Sequence, residues 1–199
     1  CLVIASNNTM KIINLLSNNL ISSTNIQNLT AIEGSGQLFA SAYNTINGPV
    51  INVTNPFNPG VEINILIENF SNDLNDEYLE RLYEIPVDYK NSTIIDIEME
   101  GSLVVVLVHV GPLNRLILVD ALTGNQEMIS NPLWPTESPS IEGNYIAFLQ
   151  RPIYSPTLNL DPENFNRDVF IWNIEDNSGS VQITLDDLDQ ENPHVLDNG

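Results

Sequence analysis

A short motif that recurs along the chain constrains its fold more than any other feature of the sequence. The motif consists of an apolar residue, an acidic residue, a glycine, a short polar step and an apolar run. It occurs at residues 31–40, 97–106 and 140–149, while the chain opens with such a run at 2–5 and closes with such a lead-in at 195–199. Recurrence of this kind indicates stacked copies of one supersecondary unit.

Four units follow when the recurring glycines serve as anchors. Gly34, Gly101, Gly143 and Gly199 divide the chain into units of about 1–34, 35–101, 102–143 and 144–199. Inside the units, short runs rich in Val, Ile and Phe are bounded by Gly, Pro, Asn and Asp, which is the signature of β-strands. After the run at each anchor, a second strand is predicted at 11–15, 50–54, 115–119 and 168–174, and a third at 61–67, 126–129 and 181–185.

These units predict an all-β chain. About four short antiparallel strands in a unit of this length are typical of a β-propeller blade. We therefore predict a single domain over residues 1–199 that is a small β-propeller or a segment of a larger one. Because short strands with regular turns also suit a β-sandwich, a sandwich is the alternative.

The second half of the chain carries the details of a known repeat. In that repeat a polar turn with glycine precedes a strand of the Ile-Ala-Phe type, then a strand of the Asp-Ile-Tyr-Val type, then a strand ending in Leu-Thr. The matching segments are 141–144, 145–148, 168–173 and 182–184 in the last unit, and 100–101, 104–106, 115–120 and 123–124 in the unit before it. Residues 97–199 thus resemble the TolB-like and WD40-like β-propeller repeats, although the Gly-His and Trp-Asp dipeptides of the WD40 pattern are absent.

One insertion interrupts the strands. The second unit is enlarged by residues 68–93, in which the segment 71–83 has capping and acidic residues at its start and Leu74, Tyr78 and Leu82 at helical spacing. We predict a short helix there, ended before Pro86. Such a helix either covers the edge of a blade or serves as a partner-binding appendage.

The charge of the chain limits its partners. The chain has 26 acidic and 6 basic side chains, and its formal net charge is −20. Nucleic acid and anionic membrane surfaces are therefore excluded as partners, because both are bound through Lys and Arg. No apolar run approaches the roughly 18 residues of a membrane-spanning helix, so we predict no spanning segment.

Two features of the sequence indicate a location outside the cell. The first residue is Cys1, and a cysteine in that position carries the lipid of a mature lipoprotein, although a strand residue at a cut end would look the same. Five N-x-S/T sequons, which an Asn-rich chain also produces by chance, are candidate glycosylation sites; they begin at Asn7, Asn28, Asn52, Asn69 and Asn91. We predict an extracellular or cell-surface location, with the periplasm as the alternative.

A loop in the last unit offers oxygen ligands for a cation. Oxygen-bearing side chains alternate within residues 161–168, and the candidate Ca²⁺ ligands are Asp161, Glu163, Asn166 and Asp168. The loop lacks the glycine that allows a sharp turn and lacks a spaced bidentate Glu. A solvated acidic loop is the competing interpretation, and Ca²⁺ is the one cofactor that the sequence suggests.

The sequence contains no catalytic motif. The nucleophile elbow, the zinc-protease helix and the phosphate-binding loop are absent. The two histidines, His109 and His194, lie at a strand end and in a lead-in between units, where structural roles are sufficient. The one cysteine allows no internal disulfide. We therefore predict no catalytic residues and no enzymatic activity.

The function that these observations favour is that of a non-enzymatic extracellular or cell-surface β-propeller. Such a propeller would be a binding or scaffold module for a protein or glycan partner, and assembly from copies of itself is an additional hypothesis. There are two alternatives. One is the propeller domain of a larger hydrolase similar to prolyl oligopeptidase, and the other is a periplasmic adaptor similar to TolB.

Overall fold

The computed structural model shows a chain built from β-strands. It describes residues 2–6, 9–14, 19–25, 29–58, 60, 62–67, 92–111, 113–132, 134–151, 166–176, 178–185 and 187–196. In chain order the strands are β1 (Leu2–Ser6), β2 (Thr9–Asn14), β3 (Asn19–Asn25), β4 (Leu29–Ser35), β5 (Leu38–Thr45), β6 (Gly48–Thr54), β7 (Glu62–Leu66), β8 (Thr93–Glu100), β9 (Leu103–Val110), β10 (Leu113–Asp120), β11 (Gln126–Met128), β12 (Thr136–Glu142), β13 (Tyr145–Gln150), β14 (Asp168–Asn173) and β15 (Val181–Gln182).

Helices are absent from these described ranges, so the part of the chain that they cover holds no helix able to cross a membrane. The short helix predicted at 71–83 lies outside the described residues.

The strands form four antiparallel sheets that follow one another along the chain. The first sheet has the order β1-β2-β3, and the next three have the orders β4-β5-β6-β7, β8-β9-β10-β11 and β12-β13-β14-β15. Meanders of four antiparallel strands are the blades of propellers, so the predicted all-β fold with blades of about four strands is confirmed. A β-sandwich consists of two packed sheets, and the four-sheet arrangement excludes that alternative.

The strands predicted from apolar runs match those of the structure. The predicted second strands correspond to β2, β6, β10 and β14, and the predicted third strands to β7, β11 and β15. β15 is shorter than the predicted 181–185. The N–H of Ile183 nevertheless donates to the carbonyl oxygen of Val169 at 2.8 Å, so backbone bonding to β14 continues past the end of β15.

Tight turns with a left-handed glycine join the first two strands of each four-stranded sheet. Gly101 and Gly143, two of the predicted anchors, have φ angles of 58° and 57°. In the second sheet the equivalent residue is Gly36, with φ 61°, and not the predicted anchor Gly34. Gly34 lies in β4 against the ring of Phe39, where an added Cβ would be 2.7 Å from the Cδ1 atom. Position 34 requires glycine because Phe39 packs closely against it, and position 36 favours glycine because the turn needs a left-handed residue.

The core consists of apolar side chains buried between neighbouring sheets. One cluster joins the second sheet to the third and includes Ile51 and Val106, both 0% exposed. Another cluster joins the third sheet to the fourth and includes Val105 and Phe148, also 0% exposed. Strand β9 therefore contributes alternate residues to two interfaces, which is why its sequence is a continuous apolar run.

The first strands of the three four-stranded sheets lie next to one another. Strand β8 contacts both β4 and β12, and we call these three the inner strands. A hydrogen bond from the Gly101 N–H to Ser35 Oγ, at 2.8 Å, links the third sheet to the second at the inner side. At the outer side, Gln126 Nε2 donates to the Leu66 carbonyl oxygen at 2.8 Å. The two sheets are thus fixed to each other at both ends.

The burial between sheets gives a direct test of the fold. Leu116 is 0% exposed in the cluster between the third and fourth sheets, whereas Leu122, in the turn after β10, is 70% exposed. We expect Leu116→Ala to lower the free energy of unfolding by about 2–5 kcal/mol, because it removes buried atoms and leaves a cavity. The matched control Leu122→Ala should stay within about 0.5 kcal/mol of the wild type. Urea denaturation measures both, and equal losses would contradict the assigned packing.

Candidate binding site on the inner strands

Three carboxylates lie on neighbouring inner strands. Glu33 on β4 pairs with Ala40, and Glu98 on β8 pairs with Val105. Ala40 and Val105 each lie four residues after the turn glycine of their sheet, so the two glutamates occupy the same position in successive blades. Asp96 lies two residues before Glu98 on β8. We call Glu33, Asp96 and Glu98 the inner carboxylate cluster.

Strand β8 has a bulge immediately before Asp96. The register of β8 against β9 shifts between Ile94 and Asp96, so that Ile95 is an extra residue opposite no partner. Strand β4 has the same kind of shift, between Leu29 and Ala31. Such bulges twist a strand and redirect its side chains. The inner ends of the two blades therefore share one irregularity as well as the position of their glutamates.

The cluster disfavours its own ionisation. Burial, followed by the negative charges of Glu33 and Asp96, raises the pKa of Glu98 from 4.5 to about 7. Burial also raises the pKa of Glu33, and the charge of Asp96 adds to this effect against an opposing hydrogen bond from the Gly34 backbone. The groups that shift these two pKa values are carboxylates and backbone, with no basic side chain among them.

A positive charge would relieve this electrostatic strain. Opposite charge within a few ångströms favours the ionised carboxylate and lowers its pKa again. Within the described ranges, no group of three or more His, Cys, Asp or Glu side chains is placed to hold a metal ion. The cluster is a half-buried group of carboxylates that a positively charged group would attract.

A second polar feature fixes the end of the described chain to the fourth sheet. The Arg167 guanidinium lies 3.6 Å from both Glu137 and Asp189 and 3.7 Å from Glu191. The Arg167 N–H also donates to Asp189 Oδ1 at 2.8 Å, and this hydrogen bond, followed by the nearby guanidinium charge, lowers the pKa of Asp189. We call Arg167 with Glu137, Asp189 and Glu191 the arginine clip.

The candidate Ca²⁺ loop is described only in part. Asp161 and Glu163 lie outside the described residues, and Asn166 and Asp168 lie inside them. The Asp168 carboxylate is 7% exposed and accepts hydrogen bonds from Gln182 Nε2 at 2.8 Å and Thr184 Oγ1 at 3.0 Å. These bonds hold β14 to the outer edge of its own sheet. The Ca²⁺ site stays a prediction.

The candidate modification sites lie mostly outside the described residues. This holds for Cys1 and for the sequon residues Asn7, Asn28, Asn69 and Asn91. Asn52 is described: it lies on β6, and its side-chain nitrogen donates to Asn64 Oδ1 at 2.9 Å and to Glu62 Oε1 at 3.2 Å. Lipidation and glycosylation therefore stay predictions, and the Asn52 amide is already used between strands.

The histidines and tryptophans have local partners or packing. His109, expected at a strand end, lies in β9 with its Nδ1 atom 2.9 Å from Asn114 Oδ1. His194 is exposed in the segment after the last sheet. Trp172 is 6% exposed, and the Trp134 ring packs against Phe170 with centroids 5.9 Å apart. Trp172 is thus part of the core between sheets, and Trp134 is partly buried against it.

The inner carboxylate cluster was not among the sequence-predicted sites. A signal for it was present, because Asp96, Glu98 and Glu100 alternate along one strand and therefore share a face. The meeting of Glu33 with Glu98 follows from the packing of β4 beside β8, which no spacing in the sequence expresses.

Comparison with known proteins shows the fold and no closer relationship. No protein-family model and no curated protein matches the chain. Among solved structures, the crystal structure of the tricorn protease matches 92% of this chain with a TM-score of 0.61 and 12% identity. The crystal structure of the N-terminal domain of Nup159 matches 92% with a TM-score of 0.53 and 11% identity. Both are propeller-type folds, and the chain spans 15% and 40% of their lengths.

The raised pKa of Glu98 predicts how stability depends on pH. The folded chain holds this proton to a higher pH than the unfolded chain does, so the free energy of unfolding falls as the pH rises from 4.5 to about 7. We expect Glu98→Gln to remove this part of the fall. Above about pH 8 the variant should be more stable by about 1–2 kcal/mol, after allowance for solvent screening of a half-buried group.

The matched control for this experiment is Glu127→Gln. Glu127 is exposed on β11, at the outer side of the same sheet. Urea denaturation across the pH range should give Glu127→Gln the wild-type profile. A Glu98→Gln variant with the wild-type profile would show that burial and the neighbouring carboxylates do not raise the pKa of Glu98.

Proposed function

We propose that this chain is a propeller-type binding module that holds a protein partner through basic side chains of that partner. The inner carboxylate cluster is the observation that carries the proposal. It brings together acidic groups from two blades, and the pKa of Glu98 is raised to about 7 with no basic side chain among its causes. A Lys or Arg of a partner would restore the ordinary ionisation of these groups, so binding and deprotonation favour each other.

A protein partner is favoured over a neutral glycan by charge, because the cluster is acidic and proteins carry Lys and Arg side chains on their surfaces. Trp172 is buried in the core between the third and fourth sheets, and Trp134 packs against it. The net charge of −20 adds a long-range attraction for basic proteins.

We also propose that the protein lies outside the cell and catalyses no reaction. The five sequons support the location, and the absence of catalytic motifs from the sequence supports a binding role. Two hypotheses compete with it: a propeller domain of a larger hydrolase and a periplasmic adaptor similar to TolB. The similarity to a segment of the tricorn protease is the observation that favours the first of these.

Mass spectrometry of the native protein separates these hypotheses. We expect a mass that a glycosidase reduces, from a protein without hydrolytic activity. A far larger mass together with hydrolytic activity would favour the hydrolase domain. A mass unaffected by glycosidase, from a protein recovered in the periplasm, would favour the adaptor.

Binding of a labelled lysine hexapeptide tests the role of the cluster. We expect the double variant Glu33→Gln/Glu98→Gln to weaken binding about fivefold in fluorescence anisotropy at low salt, because two ion pairs of this kind contribute about 1 kcal/mol together. The control is Glu62→Gln/Glu127→Gln, two exposed glutamates on the outer strands β7 and β11. Both double variants change the net charge equally, so equal weakening would show that only total charge matters.

The pH dependence gives a second readout of the same site. Since a basic partner prefers the ionised Glu98, binding should weaken as the pH falls below about 7. The double variant Glu33→Gln/Glu98→Gln should lose this dependence, while the control should keep it. Binding that is independent of pH in the wild type would place the partner elsewhere.

A further inference from the structure

A polar segment crosses one end of the fourth sheet. Residues 187–196, which we call the strap, follow the outer strand β15 and form no strand themselves. The N–H of Gln190 donates to the Arg167 carbonyl oxygen at 2.9 Å, immediately before β14. Further along, the N–H of Val195 donates to Ser140 Oγ of the inner strand β12 at 3.3 Å. The strap thus passes from the outer side of the sheet to its inner side.

Apolar burial does not hold the strap in place. Neither of the two core clusters in the described part of the chain contains a strap residue. The leucines of the strap, Leu188 and Leu196, are 69% and 75% exposed. Detaching the strap would therefore leave the core between the sheets intact.

The arginine clip is the main attachment of the strap. The Arg167 guanidinium lies 3.6 Å from Asp189 and 3.7 Å from Glu191, both in the strap, and 3.6 Å from Glu137 on β12. Arg151 adds a second guanidinium, 4.0 Å from Asp189. The chain has only 6 basic side chains, and two of them converge on this one carboxylate.

The ion pairs of the clip are long and open to solvent. Their N–O distances exceed those of charge-assisted hydrogen bonds. The side chains of Asp189 and Glu191 are 47% and 74% exposed, so dissolved salt screens the attraction. Each such pair contributes little by itself, but the pairs that share Arg167 are lost together when its side chain moves away. The attachment therefore depends on one side chain.

We propose that the strap is a conformational device that detaches as a unit while the four sheets stay folded, and that Arg167 holds it closed. Segments with few buried apolar contacts and exposed hydrogen bonds open at a lower free energy than the whole fold. Opening of the strap frees Ser140 Oγ, at the inner-strand position that Glu33 and Glu98 occupy in the preceding sheets. The strap therefore decides whether this hydroxyl is engaged or available.

Salt should act in opposite directions on the strap and on the whole fold. The chain has a net charge of −20, so screening weakens the repulsion inside the folded chain and stabilises it. Screening of the arginine clip instead favours release of the strap. We therefore expect added salt to make opening of the strap more frequent and global unfolding less frequent.

Hydrogen exchange measured by NMR on the 199-residue chain tests the proposal. The amides of Gln190 and Val195 report on the strap, and the amide of Ile129, which donates to the Leu116 carbonyl oxygen at 3.0 Å, reports on the third sheet. We expect both strap amides to exchange more than about tenfold faster than Ile129. Arg167→Gln should speed their exchange about tenfold further. Salt should speed their exchange in the wild type and have a smaller effect in this variant.

The matched control is Lys11→Gln, which removes the same charge from β2 in the first sheet. It should leave the exchange of both strap amides at the wild-type rate, and Arg167→Lys, which keeps the charge, should restore part of the lost protection. Exchange of Gln190 and Val195 at the rate of Ile129 would overturn the separate opening of the strap. Equal effects of Arg167→Gln and Lys11→Gln would overturn the role of Arg167.

Discussion

Each blade of this chain depends on its neighbours because the middle strands are apolar on both faces. In the third sheet, β9 and β10 are buried along nearly their whole length. Val106 faces the second sheet and its neighbour Val105 faces the fourth. Removing either neighbour would expose a full face of aliphatic side chains to water, at a cost that grows with the area exposed. Stability is therefore a property of the series of sheets and of the contacts between them.

This dependence explains which strands could be predicted from the sequence. A strand that is buried on both faces is a continuous apolar run, and the apolar segments 104–106, 115–119 and 145–148 lie in such strands, β9, β10 and β13. The inner strands are different, because only part of their surface meets a neighbouring sheet. Strand β12 contains Ser138 and Pro139, and β8 alternates acidic with apolar residues. Their polar residues hide them from a search for apolar runs, although they hold successive blades together.

The sequence comparison missed the inner carboxylate cluster because it aligned the second unit two residues away from its true register. Alignment on Gly34 sets Glu33 opposite Glu142, each immediately before an anchor glycine. The turn glycine of that unit is Gly36, and alignment on it sets Glu33 opposite Glu98 instead. Gly34 misleads because glycine serves two purposes here, close approach to Phe39 at Gly34 in β4 and a left-handed turn at Gly36 just after it. The sequence shows a glycine at both positions, and only the backbone φ angle shows that Gly36 is the turn residue.

The same inner-strand position has two different uses in successive blades. Glu33 and Glu98 occupy it in the second and third sheets, and Ser140, opposite Ala147, occupies it in the fourth. A third glutamate would add another negative charge to a row in which Glu98 already binds its proton to about pH 7. Ser140 instead accepts a hydrogen bond from the N–H of Val195, at 3.3 Å. The repeat fixes where the position lies, and the side chain there decides whether it carries a negative charge or holds a neighbouring segment of backbone.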